Sequence, residues 1–198
     1  YISNFEEVNI NKPWEHLKSY AAPLEKIESF EVYPNRDSLP FLADYGFGHN
    51  WKIKAFVRGT LRLTGWKKAW NTIFNRIDEF SSHDDGELEI KKLAESLWEK
   101  YSYEAEEPDR VVLCVGLKAE NIHKKVYHKT YVLNANGNDS GSAMARLVSI
   151  PLSLAIEAIL LKRIDFGVSA ATSNLNLIED WMLEINSLAD YLEIKNHL

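Results

Sequence analysis

The sequence predicts an α+β domain: a mixed or antiparallel sheet packed with helices and interrupted by a short inserted helical segment. Three observations carry this. Four runs carry strand signals, two of them alternating with a period of two and one a continuous β-rich run; five others repeat apolar residues at helical spacing, and the helical runs are grouped between and after the strands. With 45% apolar residues in 198, the chain can fill one core without a metal or a disulfide, and residues 1–198 read as a single domain.

The first two dozen residues show no folded opening unit, and a start on Tyr1 suggests a piece of something longer. A strand is expected at 27–33. A short helical turn at 38–45, capped by Asp37 or Ser38, should end at Gly46. The run 53–63 reads as one strand with Ile53, Ala55, Val57, Leu61 and Leu63 on one face and Arg58, Thr60 and Arg62 on the other.

Thr64 and Gly65 start a helix over 66–80, whose stripe runs through Trp66, Ala69, Trp70, Ile73, Phe74, Ile77 and Phe80. A second stripe follows through Ile90, Leu93, Ala94, Leu97, Trp98 and Tyr101, so that 66–107 forms a helical insertion closed by a linker at 104–108. Strands at 110–117 and 126–133 come next. Asn136-Gly137 is a hairpin-type signal, while Asp139, Ser140 and Ser142 could equally cap the helix that follows. That helix, 142–161, gathers Ser142, Arg146, Ser149, Ser153 and Glu157 on one narrow stripe. It should therefore be buried between two layers, or between this domain and another, with a kink at Pro151. A last helix is expected over 178–192.

Several function classes are excluded at this stage. The most apolar stretch, 147–161, is too short and too polar to cross a bilayer, and no signal peptide is visible. Residues 51–77 carry seven bases and no acid, but the net charge is −6 and no recognition motif accompanies the block, which argues against nucleic acid. The histidines have no metal-site spacing, Asp84-Asp85-Gly86 lacks the other ligands of a calcium loop, and Gly46-Phe47-Gly48 lacks the third glycine of a dinucleotide fingerprint. The lone Cys114, in an apolar run, indicates a reducing, cytoplasmic setting.

The remaining chemistry is basic. Arg58, Thr60 and Arg62 on one strand face suit a dicarboxylate clamp, because a guanidinium matches a carboxylate bidentately; an exposed strand face decorated with Arg and Thr is the alternative. Arg36, in the turn Tyr33-Pro34-Asn35-Arg36-Asp37-Ser38, would stand beside a helix N-terminus and add to its pull on anions.

Two blocks of the sequence also resemble a known family. Tyr33-Pro34-Asn35-Arg36-Asp37-Ser38 followed by Val57-Arg58-Gly59-Thr60-Leu61-Arg62 and Gly65-Trp66 is similar to the substrate-domain signature of saccharopine dehydrogenases. The stretch from Gly137 through Ser142-Ala143-Met144-Ala145-Arg146 to Pro151 looks like the helix near the C-terminal end of the same family. Departures are Leu63 where an aromatic residue is usual, Ser149 for a glycine, Lys162-Arg163 for a helix-ending glycine, and no prolines over 169–176.

The resemblance implies the substrate-binding, dimerising C-terminal part of an NAD(P)-dependent oxidoreductase acting on the C–N bond of saccharopine. The N-terminal Rossmann domain would be absent, and this fragment alone would bind no cofactor. It also implies that Arg36, Thr60, Leu61 and Arg62 contact the amino-acid substrate, and that the chain forms a homodimer. No catalytic acid or base and no metal ligand is assigned. The other readings are a relative acting on a carboxylated polyamine precursor and a non-catalytic binding module of the same fold.

Overall fold

A computed structural model describes residues 1–80, 84–104, 106–168 and 170–198. Residues 81–83 of the expected insertion, Ala105 of the expected linker and Ser169 of the proline-free stretch lie outside these. The chain runs β1 (Ile2–Ser3), β2 (Glu6–Glu7), a 3-10 turn (Pro13–His16), β3 (Lys18–Ala22), β4 (Glu28–Pro34), α1 (Phe41–Asp44), β5 (Ala55–Phe56) and β6 (Gly59–Leu63). It continues with α2 (Trp66–Phe80), α3 (Gly86–Tyr101), β7 (Arg110–Glu120), β8 (Val126–Asn136), α4 (Ala143–Leu160), α5 (Leu175–Leu188) and β9 (Tyr191–Asn196).

The strands form three antiparallel sheets, ordered β2-β1-β5, β3-β4-β6 and β7-β8-β9. Alternation along β8 explains how two of them share a core. Val132 faces the β3-β4-β6 sheet and joins Ala22, Leu24 and Phe30, with Tyr20, Leu61, Val112, Cys114 and Tyr191 around them. Leu133 and Ala135 point the opposite way, into Ala143, Leu147, Ile185, Ala189 and Leu192 beneath α4 and α5. The order of layers is sheet, sheet, helices. At one edge the Arg110 guanidinium spans the two sheets to both oxygens of Glu28, at 2.9 and 2.7 Å, and holds that carboxyl below its ordinary range.

Five sequence expectations need correction. The opening residues are structured, and β3 is a full strand whose Ala22 is buried in the core. The run 53–63 is two strands, because Asn35 N–H donates to the Arg58 carbonyl at 2.8 Å and the Ser38 hydroxyl accepts from Arg58 N–H at 3.1 Å, tying the chain down between β5 and β6. The last helix stops at Leu188. Asp190 then accepts from the backbone and side-chain amides of Asn136, both at 2.8 Å, and the chain leaves as β9. The turn before α1 is capped by neither Asp37 nor Ser38: the first accepts from Leu39 N–H and the second from Arg58.

The fifth correction concerns α4. Ser142 is its cap, accepting from Ala145 N–H at 3.1 Å, and Pro151 lies within a continuous helix. Yet of its residues only Ala143 and Ala158 are buried, and Met144, Val148 and Leu152 are 57%, 59% and 60% exposed. The sequence expected burial on most sides; this chain supplies cover on one. By length and composition alone α4 is apolar enough to cross a membrane, a test that the core helix of a soluble protein also passes, so this one helix does not overturn the reading that 147–161 spans none. It also contains Arg146 and Glu157, and Arg146 donates to the Asn136 carbonyl at 2.7 Å.

Candidate functional site

The site is built on the outer face of β4 and β6. Their register pairs Tyr33 with Thr60 and Glu31 with Arg62, so these four side chains share the face turned away from the core. Leu61 and Val32 take the opposite face, where Leu61 packs into the core cluster. The side chain of Leu61 is thus spent on the core, which leaves only its backbone for a ligand on the outer face.

Gly65 sets the next element. Its φ of +92°, a left-handed value that a glycine adopts without strain, turns the chain out of β6 into α2. There the N–H groups of Lys67 and Gly65 donate to the two oxygens of Glu31 at 2.8 and 3.0 Å. These backbone bonds hold the Glu31 carboxyl below its ordinary range. Trp66, the first residue of the helix, lies flat on Tyr33 with ring centroids 5.2 Å apart and 18° between planes. Arg62 is held by both: its Nη2 donates to the Tyr33 oxygen at 3.3 Å, and its guanidinium carbon is 5.4 Å from the Trp66 ring centre.

Arg36 stands beyond the end of β4 with φ +56°, an uncommon value for a residue with a side chain. The Asn35 and Ser38 bonds to Arg58 brace its turn from both sides. Arg36 is exposed and makes no ion pair among the described residues. In the register Arg62 lies opposite Glu31 and Thr60 opposite Tyr33, while Arg36 follows beyond the last pair, Pro34 with Gly59, so along the sheet Thr60 comes between the two arginine positions. Arg58, expected beside Thr60 and Arg62, lies before β6 and covers the Phe41 ring at 3.6 Å. The four-residue α1 has too little dipole to serve as the anion site imagined for Arg36.

The sequence reading missed Tyr33, Glu31 and Trp66. Glu31 and Tyr33 were within reach, since a period of two places them on one strand face. Trp66 required the turn at Gly65.

A dinucleotide needs a helix N-terminus with free N–H groups after a strand. Two such turns precede long helices here, and both are filled by the protein's own carboxylates. Glu31 closes α2. Asp109 closes α4, accepting from Ala143 and Met144 N–H at 2.7 and 2.8 Å, and Gly137 is required beside it because a Cβ there would lie 2.5 Å from the Asp109 oxygen. At these two helix N-termini the N–H groups of Gly65 and Lys67, and of Ala143 and Met144, are taken by carboxylates of the chain itself. Burial pushes the Cys114 thiol up, away from the thiolate form, and the neighbouring Tyr20 is pushed up to about 12 by its own burial. What the arrangement can do is hold anions, through two guanidinium groups and a hydroxyl.

Comparison with solved structures finds the same fold in apo histidine-tagged saccharopine dehydrogenase (L-Glu forming) from Saccharomyces cerevisiae, with a TM-score of 0.75 at 20% identity. The match covers 100% of this chain and 58% of that one, so the chain spans little more than half of the yeast enzyme's length. A search of curated proteins by sequence gives no match. The family described as saccharopine dehydrogenase C-terminal domain matches residues 1–187, and the chain belongs to that family.

Proposed function

We propose that this chain is the substrate-binding and dimerising part of an NAD(P)-dependent oxidoreductase that acts on the C–N bond of saccharopine, in lysine metabolism. The observation that carries the reading is Arg62, a guanidinium oriented by the Tyr33 oxygen and the Trp66 ring and without an ion pair among the described residues, with the exposed Arg36 just beyond the end of the neighbouring strand β4. Saccharopine has three carboxylates on a long backbone, and two separated cations suit such a molecule better than a small acid. Thr60, between them, offers a hydroxyl, and the Leu61 backbone lies alongside. The nicotinamide cofactor, NADP or NAD, would be held by a Rossmann domain outside this chain, in keeping with the two helix N-termini that Glu31 and Asp109 already fill.

The uncovered apolar surface supports a second copy of the chain as partner. Leu113, Val115 and Ile194, on the helix side of the β7-β8-β9 sheet, are 53%, 50% and 44% exposed, a contiguous patch because Val115, Tyr131 and Ile194 are register partners. The unpaired, half-buried Cys114 supports a cytoplasmic setting.

Kinetics of the whole enzyme test the site. Arg36→Ala and Arg62→Ala should each lower kcat/KM for saccharopine by about thirtyfold or more, with poor rescue by Lys. Arg76→Ala and Lys91→Ala, on α2 and α3, should change it by less than about twofold. Unchanged kinetics in both folded arginine variants would favour a non-catalytic binding module of the same fold; activity on a carboxylated polyamine precursor in place of saccharopine would reassign the substrate and keep the clamp.

A further inference from the structure

Arg62 faces an acid directly across the sheet and yet makes no ion pair among the described residues. Glu31 is its register partner between β4 and β6, and opposite charges so placed ordinarily pair. Both Glu31 oxygens are instead committed to the N–H groups of Gly65 and Lys67, where the positive end of α2 also favours them. The guanidinium is left with partners that orient it and cancel none of its charge. One is the oxygen of Tyr33, 3.3 Å from Nη2; the other is the face of Trp66. The two rings stack on each other, so each restrains the other. Tyr33 accepts from Arg62 and keeps its own O–H to donate, so guanidinium and phenol form a joint donor set.

We propose that Tyr33 and Trp66 are positioning residues that hold Arg62 as a preformed carboxylate receptor, and that Glu31, diverted to the start of α2, leaves the charge of Arg62 uncancelled. The proposal rests on the reading of Arg62 as a contact to a substrate carboxylate. Preorganisation matters here because a long, exposed arginine otherwise loses rotamer freedom each time it binds. A cation held in place by a ring and a hydroxyl has lost that freedom before the ligand arrives.

The test is titration of the full 198-residue chain with glutarate, read on the Arg62 Nε–Hε resonance by 15N NMR and assigned by its loss in Arg62→Lys, with sodium chloride at matched ionic strength as control. A saturable shift is expected in the parent chain. Tyr33→Phe, which removes one oxygen and keeps the ring stack, should weaken glutarate about threefold to tenfold. Trp66→Leu should weaken it about threefold. Glu31→Gln should leave it within about twofold. If the Arg62 resonance of the parent chain does not respond, the carboxylate reading of Arg62 falls and the proposal with it. If it saturates at the same glutarate concentration in the parent, Tyr33→Phe and Trp66→Leu chains, Arg62 remains a receptor but is not positioned by these residues. Tightening beyond about fivefold in Glu31→Gln would show that Glu31 screens Arg62 after all.

Discussion

The two larger sheets turn opposite kinds of surface to solvent. The outer face of β3-β4-β6 presents Glu31, Tyr33, Thr60 and Arg62, and the carboxylate, phenol and guanidinium among them are already held by neighbours. The uncovered part of β7-β8-β9 presents Leu113, Val115 and Ile194, which touch water to about half their area. A solvated, oriented charge costs little to leave exposed and gains from a small ion. An exposed apolar sheet face gains only from something large and apolar. The first surface is therefore suited to a metabolite and the second to a protein.

The comparison breaks most severely at Val115. An aspartate there would place an unpaired charge in the apolar contact, and we expect two-fold association to weaken by at least about a hundredfold, roughly 2.7 kcal/mol or more. Sedimentation equilibrium of the parent chain and of Val115→Asp measures this; a monomeric parent chain removes the proposed dimer. The same experiment sharpens the contrast with the polar face. Arg62→Ala should leave both the mass and the stability to denaturant where they are, within about 0.5 kcal/mol, because Arg62 is exposed and makes no ion pair among the described residues.

The smallest effect is a pH dependence, set by one carboxyl on the polar face and one where the two sheets meet. Glu31 is held below its ordinary 4.5 by the Lys67 and Gly65 N–H groups, and Glu28 by Arg110. A carboxyl whose folded value is depressed contributes stability that is present above the unfolded value and lost as pH falls through the folded one. Urea midpoints should therefore fall on acidification from about pH 5 to 3, and Glu31→Gln should flatten part of that fall. A Glu31→Gln curve parallel to the parent's would mean that the α2 cap contributes nothing.

How far the sequence carried the fold depended on whether one element alone accounts for a pattern. The stripes of α2 and α3, the alternation of β8 and the β-rich composition of β7 each belong to a single element, as does the shorter run of β4, and they were legible. The stripe read over 178–192 is real, since Ile185, Ala189 and Leu192 all pack on one cluster, but a helix supplies the first and a turn and a strand the others. What ends the helix is Asp190 meeting Asn136, a contact between residues 54 apart. Strand β3 was missed because Lys18-Ser19-Tyr20-Ala21-Ala22 has small residues where apolar ones would announce it. At the site, alternation showed Thr60 and Arg62 together. The diversion of Glu31 was invisible, since it depends on backbone groups that stand 34 and 36 residues away.

Strand β8 gives side chains to both cores, Val132 to the first and Leu133 and Ala135 to the second. Neither layer can then open while the other stays shut, because parting either one loosens the strand that both are built on. The domain should melt as a single cooperative unit despite its separate sheets, with β8 amides among the slowest to exchange with deuterium. It follows that a ligand tightening the β4-β6 face would be felt, as raised protection, in the β7-β8-β9 sheet, the surface proposed above for a second copy.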